Sequence, residues 1–307
     1  MKLSGRVHVF GSINTDMVTY VNGLPSPGET VIGGSFHIFY GGKGANQAVA
    51  AARAGAEVKM YGCLGDDTFS GGCLGNLRRN GVDTAGVNIK RKVHSGIAQI
   101  IVDSRGENLI AVASGANACF SAEEVHLDGP SVVKGDVALF QNEIPIATTG
   151  SLILKAKAWG MRVIWNTAPA VVQRPEDDVL AAVDILVCNR VELRTLLDSN
   201  DDDEDLARQV HRWGIANILV TLGEQGSFVV SETGTYRQNA YPAKAVDTVG
   251  AGDCYCGVLA ASLAAGSALE ESIRRATAAA SISITRKGAQ TSMPNDGEIR
   301  KFLSRLT

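Results

Sequence analysis

Short apolar runs recur through the second half of the chain, with helical patterns between several of them. They fall at residues 137–140, 162–165, 185–188, 218–221 and 227–230. These runs are apolar throughout instead of alternating, which is typical of strands in a parallel sheet covered by helices on both faces. Together with a β-rich run at residues 6–10, they predict an α/β domain whose central sheet is rich in parallel strands.

The first third of the chain has a different texture. Strand patterns at residues 17–21, 30–32 and 35–40 follow one another with no helix between them. We therefore expect these segments to be antiparallel and to lie outside the main sheet. Residues 96–102 and 108–112 flank a polar turn that contains glycine, which predicts a hairpin. These segments supply enough strands for a second, smaller sheet.

Several helices can be placed by pattern. One is predicted from the glycine-rich turn at 41–47 to about residue 54, a second over 69–80, and an amphipathic one over about 268–285. A small, apolar sequence at 254–261 predicts a buried helix. The acidic run at 199–205 predicts a solvated loop that leads into a helix N-terminus, in preference to a metal site.

A glycine-rich stretch immediately precedes the predicted buried helix. Gly250, Ala251 and Gly252 lie where the chain turns into the helix, and Asp253 falls in its first turn. The first amides of a helix lack an internal acceptor and carry the positive end of its dipole, so they can form an anion hole for a phosphate. With a carboxylate beside it to accept a hydroxyl proton, the hole is the minimum equipment of a small-molecule kinase. An ordinary loop with an acidic residue at the helix start would use the same residues.

Two further polar motifs can bind small molecules. Asn14 and Asp16 follow the first predicted strand, at the edge where parallel sheets bind ligands, and both side chains can bind sugar hydroxyls. An Asx turn would use the same residue types. Lys43 and Asn46 lie at a glycine-rich helix start that can hold a polyhydroxylated or anionic ligand. A tight turn alone explains the neighbouring glycines but does less well with Lys43 and Asn46 together.

Neither of the common nucleotide-binding motifs is present. A Walker P-loop would need glycine at His37 and serine or threonine at Gly44. A dinucleotide-binding Rossmann fingerprint would need three glycines after the first strand, where only Gly11 stands.

Composition and charge narrow the range of partners. With 45% hydrophobic and 20% charged residues over 307 positions, the chain has the composition of a globular protein with a substantial core. A net charge of −3 gives no electrostatic reason to expect nucleic acid or an anionic membrane. We find no signal-peptide pattern at the start and no apolar run that could span a bilayer. Six scattered cysteines lack a zinc-binding spacing, so we expect reduced core thiols in a cytoplasmic protein.

The two glycine-rich stretches, residues 41–46 and 247–253, together resemble the two signatures of the ribokinase family of sugar kinases, in the phosphofructokinase-B superfamily. The resemblance covers nearly the whole chain. It extends to Asn14-x-Asp16, to Asn189-x-x-Glu192 and to residues 221–223 and 285–289.

The resemblance implies an architecture and an activity. The expected architecture is a three-layer α/β domain over residues 1–12, 41–92 and 114–307, with a β-sheet lid over 13–40 and 93–113 that also pairs with a second subunit. The expected reaction is ATP-dependent phosphorylation of the primary 5-hydroxyl of a small sugar, with D-ribose expected first. Alternatives are deoxyribose, a ketohexose or a nucleoside as acceptor, or a sugar-binding protein that has lost catalysis.

The resemblance also implies roles for individual residues. Asp253 would be the base, with Gly250, Ala251 and Gly252 as the anion hole. The sugar would be bound by Asn14, Asp16, Gly42, Lys43, Asn46, Glu143 and Asp253, and ATP by Asn189, Thr221, Gly223 and Gly252. Glu192 would organise Mg²⁺ through water, and a monovalent cation such as K⁺ would lie at Asp247, Val249, Ser283, Arg286, Gly288 and Ser292.

The Asn-x-x-Glu element departs from the family pattern at two positions. Cys188 stands where proline often precedes the asparagine, which affects the stiffness of the loop more than its chemistry. Arg190 is an unusual neighbour for a glutamate that is linked to Mg²⁺.

Overall fold

The structure is a computed structural model that describes residues 5–127, 132–170 and 174–306. Its larger sheet has nine strands in the order β13-β12-β11-β10-β9-β8-β1-β4-β5. The strands are β1 (Val7–Phe10), β4 (Val58–Gly65), β5 (Val82–Lys90), β8 (Val137–Phe140), β9 (Arg162–Asn166), β10 (Ile185–Asn189), β11 (Asn217–Thr221), β12 (Ser227–Ser231) and β13 (Gly234–Gln238).

The predicted parallel pairing is confirmed for most of this sheet. On either side of β1, Val7 pairs in parallel register with Val58 of β4 and Val137 of β8. The strand predicted at 227–230 is present as β12, but β12 and β13 run antiparallel to their neighbours. Only a short turn separates β11 from β12, and a parallel connection needs a longer crossover.

Helices cover both faces of the sheet and form the three layers that were predicted. They are α1 (Lys43–Arg53), α2 (Ser70–Arg79), α3 (Ile146–Ala158), α4 (Asp177–Ala182), α5 (Arg190–Leu197), α6 (Asp203–His211), α7 (Ala251–Ala264), α8 (Leu269–Ser283) and α9 (Asp296–Leu303). On one face α1, α7 and α8 form a core around Ala48 and Val258. On the other, α3 to α6 form a core around Leu152 and Leu206. Helix α7 is buried along almost its whole length, as its apolar sequence predicts.

Four strands form a separate small sheet in the order β3-β2-β6-β7. They are β2 (Asn14–Tyr20), β3 (Phe36–Gly41), β6 (Gly96–Val102) and β7 (Asn108–Ala113). The predicted antiparallel pair β2–β3 and the predicted hairpin β6–β7 are both confirmed, and a parallel β2–β6 pair joins them.

The prediction of a strand at residues 30–32 is wrong. This segment is irregular, with Gly28, Gly33 and Gly34 at positive φ and the side chain of Ile32 92% exposed. Without a neighbouring strand to supply hydrogen-bond partners, a short apolar triplet has nothing to hold it extended.

The cysteine prediction needs one correction. All six cysteines are free thiols, and Cys63, Cys73, Cys188, Cys254 and Cys256 are buried as expected. Cys119 is exposed, because it ends a 3-10 turn (Gly115–Cys119) on the surface. Within the described ranges, we find no helix with the length and apolar character needed to cross a membrane.

Candidate active site

The site lies at the carboxyl ends of the parallel strands, beside β1. Strand β1 is the point where the chain order reverses, since β4 lies on one side and β8 on the other. Crevices at such switch points are where open α/β sheets bind ligands. The Ser12 hydroxyl, just after β1, donates a 2.5 Å hydrogen bond to Glu143 Oε2, just after β8. The two loops that form the crevice are therefore tied together.

Asn14 and Asp16 lie inside β2, two residues apart and thus on the same face. The Asn14 Oδ1 accepts a hydrogen bond from Asn117 Nδ2 at 2.7 Å, which leaves the Asn14 amide nitrogen free to donate to a ligand. The Asp16 carboxylate accepts no hydrogen bond from any described residue. Burial, followed by the nearby carboxylates of Glu143 and Asp253, raises the pKa of Asp16 to about 7. Asp16 is therefore an open acceptor poised between its two protonation states.

Gly42 and Lys43 start helix α1 beside this pair. Gly42 has φ 86°, and a Cβ there would come within 2.7 Å of the Asn14 backbone nitrogen, so only glycine fits. The backbone N–H of Lys43 donates to Glu143 Oε2 at 2.9 Å. Glu143 thus uses one oxygen for both structural contacts and keeps the other for a ligand. The Asp253 carboxylate, more than other acidic groups nearby, raises the pKa of Lys43 above its ordinary value.

Asp253 lies in the first turn of α7 and is 6% exposed. Its Oδ2 accepts a hydrogen bond from Asn46 Nδ2 at 2.9 Å, and its Oδ1 accepts one from Gln47 Nε2 at 3.0 Å. Helix α1 thus holds the carboxylate with two adjacent amide side chains. A carboxylate fixed in this way, with a lone pair left on each oxygen, can accept a proton from a hydroxyl group.

The turn before Asp253 presents backbone amides. Gly250 adopts the left-handed conformation, with φ 74°, and a Cβ there would lie 2.9 Å from the Ala289 side chain. Among the described residues, the backbone N–H groups of Gly250, Gly252 and Asp253 find no acceptor, whereas that of Ala251 donates to the Thr248 carbonyl at 3.2 Å. Three amides at the positive end of a helix dipole are therefore open to an anion.

The segments expected to hold the nucleotide follow β10 and β11. Asn189 is the N-cap of α5, and its side chain and that of Glu192 exchange hydrogen bonds with each other's backbone. Burial raises the pKa of Glu192, and Lys43 and the bond from Asn189 oppose this effect. Thr221 ends β11, and Gly223 opens the exposed 3-10 turn that follows. Asn189 and Thr221 thus end two neighbouring parallel strands, and Gly223 follows two residues after Thr221.

Arg190 does not face Glu192. Its guanidinium donates to Asp203 Oδ2 at 2.6 Å and to Gln225 Oε1 at 3.0 Å. Asp203 lies in the first turn of α6, after the N-cap Asp202, so the acidic run does lead into a helix N-terminus as predicted. The Arg190 charge is therefore paired with Asp203 and not with Glu192.

The loop expected to hold a monovalent cation packs behind the anion hole. Asp247 joins the segment before α7 to the loop that contains Gly288. Its oxygens accept hydrogen bonds from the backbone N–H of Val249 at 3.0 Å and of Gly288 at 2.8 Å. The Ser283 and Ser292 hydroxyls donate to the Ala280 and Ala289 carbonyls at 2.9 and 2.8 Å. The guanidinium of Arg286 is bound to Glu298 at 2.5 Å. Hydroxyl, carboxylate and carbonyl oxygens are a donor set that suits a hard cation.

A closed Mg²⁺ site of protein ligands does not fit the described residues. Among them, no cluster of three or more His, Cys, Asp or Glu side chains could hold a metal ion. Mg²⁺ commonly binds through one or two carboxylates, water and substrate phosphates, and Glu192 with its free Oε1 suits that mode.

Several residues of the site were not predicted from the sequence. Ser12 and Asn117 fix the Glu143 and Asn14 side chains. Gln47, Gln141 and Asn166 form a chain of buried amides that ends at Asp253. The one signal in the sequence was the position of Gln47, directly after Asn46 in the glycine-rich motif.

Comparison with known proteins places nearly the whole chain in one family. The family model for "pfkB family carbohydrate kinase" matches residues 4–296. A ribokinase of Haemophilus influenzae is 37% identical over 299 residues, which cover 96% of this chain and 97% of the relative. A deoxyribokinase of Salmonella typhi is 33% identical over 302 residues, covering 97% and 98%. The solved structure of Arabidopsis thaliana ribokinase complexed with ribose and ATP superimposes with a TM-score of 0.87 at 29% identity, covering 98% of this chain and 99% of that one.

Proposed function

The chain belongs to the pfkB family of carbohydrate kinases, and from this premise we propose that it transfers the γ-phosphoryl group of ATP to the 5-hydroxyl of D-ribose. The observation that carries the proposal is the Asp253 carboxylate, held by Asn46 and Gln47 beside three open amides at the start of α7. A base for a hydroxyl and a cradle for a phosphoryl group are thus fixed by the same helix turn.

The reaction assigns each part a task. Asp253 accepts the proton of the sugar hydroxyl while the hydroxyl oxygen forms a bond to the γ-phosphorus. The bond between that phosphorus and the oxygen of the leaving ADP breaks. The amides of Gly250, Gly252 and Asp253 stabilise the charge on the transferring group. The N–H of Ala251 is not open to the phosphoryl group, because it donates to the Thr248 carbonyl. Ala251 contributes as part of the turn that presents the other amides. Lys43, kept charged by Asp253, adds a cation to the same region.

The sugar would lie between the small sheet and helix α1. Asn14 offers an amide donor and Asp16 a free carboxylate, while Glu143 keeps one oxygen free. Gly42 lets the start of α1 approach β2. Lys43 and Asn46, in the same helix, both lie close to Asp253. Glu143 and Asp253 lie near enough to Asp16 to help raise its pKa, and a region with three carboxyl groups suits a neutral ligand rich in hydroxyl groups.

The remaining assignments concern the nucleotide and its ions. We propose that Asn189, Thr221, Gly223 and Gly252 contact ATP, because Glu192, capped by Asn189, lies near enough to Lys43 and Asp253 to interact with their charges. When bound, Mg²⁺ would neutralise phosphate charge, and Glu192 would hold it through water. K⁺ would be held by oxygens of Asp247, Val249, Ser283, Arg286, Gly288 and Ser292, behind the amides that receive the phosphoryl group.

The small sheet is proposed to act as a lid and as a dimer interface. Lid boundaries at 13–40 and 93–113 contain its four strands except for Gly41, the last residue of β3. Phe36 on one edge strand and Leu109 and Ile110 on the other are about half exposed, which suits burial against a second subunit. Six free thiols support a cytoplasmic location. The net charge of −3 supports neither nucleic acid nor an anionic membrane as a partner.

Deoxyribose is the second candidate acceptor, because a deoxyribokinase is among the relatives at 33% identity. One assay separates the candidates: ADP release with ATP and Mg²⁺ on a panel of ribose, 2-deoxyribose, fructose and a nucleoside. We expect ribose to give the highest kcat/KM. A higher value with deoxyribose, fructose or the nucleoside would reassign the substrate, and no ADP release with any of them would favour a binding protein without catalysis.

A further inference from the structure

Asn46 and Gln47 both hold Asp253, but only one of them can reach a ligand. Asn46 keeps 7% of its surface exposed, whereas Gln47 is fully buried. Gln47 follows Asn46 in α1, yet no atom of its side chain is open to a substrate. Any effect of Gln47 on the reaction must therefore be indirect, and the proposed catalytic group that its side chain contacts is Asp253.

The orientation of the Gln47 amide is fixed at all three of its polar positions. Its Nε2 donates to Asp253 Oδ1 and to Asn166 Oδ1, both at 3.0 Å. Its Oε1 accepts from Gln141 Nε2 at 2.7 Å. Rotating the amide by half a turn would place its oxygen against two acceptors and its NH₂ group against a donor. The group thus has one satisfactory arrangement.

The next amide in the chain is anchored to the main sheet. Asn166, the last residue of β9, donates from Nδ2 to the Val187 carbonyl of β10 at 3.1 Å. Its Oδ1 is therefore turned toward Gln47, and the orientation is passed on to Asp253. The buried chain thus connects the base to two strands in the middle of the main sheet.

We propose that Gln47 is a positioning residue that holds the Asp253 carboxylate in the orientation from which it accepts the sugar proton. The inference rests on the proposed role of Asp253 as the base. With Oδ2 tied to Asn46 and Oδ1 tied to Gln47, the carboxylate cannot rotate, and each oxygen keeps a lone pair for the reaction. Misplacing a reacting group by about 1 Å can lower a rate roughly 10²-fold.

The first test compares two variants with the same chemical change. Gln47→Met removes the amide that binds Asp253, and Gln209→Met makes the same change at an exposed position of α6, away from the site. We expect Gln47→Met to lower kcat at least about tenfold, with the KM values for sugar and ATP changed less than about twofold. Gln209→Met should leave kcat unchanged. Equal losses of kcat in the two variants would overturn the proposal.

The second test is a double-mutant cycle with Asp253→Asn, which is expected to lower kcat by roughly 10²–10⁴-fold. If Gln47 acts through Asp253, adding Gln47→Met to that variant lowers kcat by less than about twofold, since interacting residues are not additive. A full multiplicative loss would overturn the positioning role. Near-normal kcat in Asp253→Asn alone would instead overturn the base, and with it the proposed function.

A size-conserving variant keeps the proposal testable if Gln47→Met fails to fold. Gln47→Glu retains an acceptor for Gln141 Nε2 but sets a second carboxylate against Asp253 Oδ1. We expect thermal unfolding to show a folded protein, with kcat at least about tenfold lower and the KM for sugar little changed. A folded Gln47→Glu enzyme with normal kcat would contradict the inference.

Discussion

Asn189 and Glu192 cap helix α5 reciprocally. The Asn189 side chain accepts a hydrogen bond from the backbone N–H of Glu192 at 2.8 Å, and Glu192 Oε2 accepts one from the backbone N–H of Asn189 at 2.8 Å. This capping box satisfies two amides that the helix itself cannot. The Asn-x-x-Glu motif therefore has a structural role that is independent of any metal ion, and the two roles of Glu192 can be separated by mutation.

Glu192→Gln keeps an oxygen that can cap Asn189 but removes the charge proposed to organise Mg²⁺. We expect it to raise the Mg²⁺ concentration for half-maximal activity by about tenfold or more while the melting temperature stays within a few degrees. Glu192→Ala loses the cap as well and should cost about 1 kcal/mol of stability. Mg²⁺ titrations and thermal unfolding measure both effects. An unchanged Mg²⁺ requirement in Glu192→Gln would leave the residue with capping alone.

Gly252→Ala tests the anion hole with little effect on the fold. A Cβ at Gly252 would meet nothing within 4 Å, so the free protein should accept alanine without loss of stability. The methyl group would project at the start of α7, where a phosphoryl group has to approach the open amides. We expect kcat to fall at least about tenfold, with the melting temperature unchanged. Gly71→Ala in α2, where a Cβ is equally unhindered, is the matched control and should keep full activity.

The proposed cation loop predicts a dependence on the monovalent salt. Asp247 joins the loop on both sides of the anion hole through Val249 and Gly288, so a cation bound there would shape the hole from behind. We expect higher activity in potassium chloride than in tetramethylammonium chloride at equal ionic strength. Equal rates in the two salts would count against a cation site.

Local patterns and long-range contacts were predictable to different degrees. Periodicity predicted most strands, and Asn189 and Glu192 are three residues apart, a spacing that a helix start brings together. The contact between Gln47 and Asp253 joins residues 206 apart in the sequence. Nothing in the composition of α1 distinguishes an amide that faces a buried carboxylate from one that fills the core. Likewise, residues 30–32 look extended, and only the absence of a partner strand in the described structure explains why they are irregular.

The raised pKa of Asp16 predicts how stability changes with pH. The folded protein holds the Asp16 proton more tightly than the unfolded chain, because the pKa is about 7 instead of 3.8. The resulting stabilisation is therefore present below pH 4 and is lost as the pH rises through 7. The Asp16→Asn variant has no carboxyl proton to lose at this position, so its stability should not fall in this way as the pH rises.

We expect the free energy of unfolding of Asp16→Asn, relative to the unaltered protein, to increase from pH 5 to pH 8.5. Between these two pH values the increase is about 3 kcal/mol at most, because the folded-state pKa is about 7. Urea unfolding at the two pH values, without sugar, measures it. Glu123→Gln, which removes an equal charge from an exposed side chain, should show no such trend. A pH-independent difference for Asp16→Asn would mean that Asp16 titrates in its ordinary range.

The same carboxylate predicts the choice between ribose and 2-deoxyribose. Asp16 has no hydrogen-bond donor among the described residues, and Asn14 lies beside it on β2 with a free amide, so the pair is our candidate partner for the sugar 2-hydroxyl. A site built to bind a hydroxyl discriminates against an analogue without it, because its own polar groups stay unpaired at a cost of about 1–3 kcal/mol. Since about 1.4 kcal/mol corresponds to tenfold, kcat/KM for 2-deoxyribose should fall at least roughly tenfold below that for ribose.

Asp16→Ala should reduce kcat/KM for ribose more than for 2-deoxyribose, because only ribose loses a partner. The ratio of the two kcat/KM values should therefore narrow toward one, and initial-rate measurements of ADP release with each sugar give it directly. A variant that loses both activities in equal proportion would place the 2-hydroxyl elsewhere in the crevice. If the unaltered protein prefers 2-deoxyribose, ribose is the wrong acceptor, whereas phosphorylation of a small sugar through Asp253 would still stand.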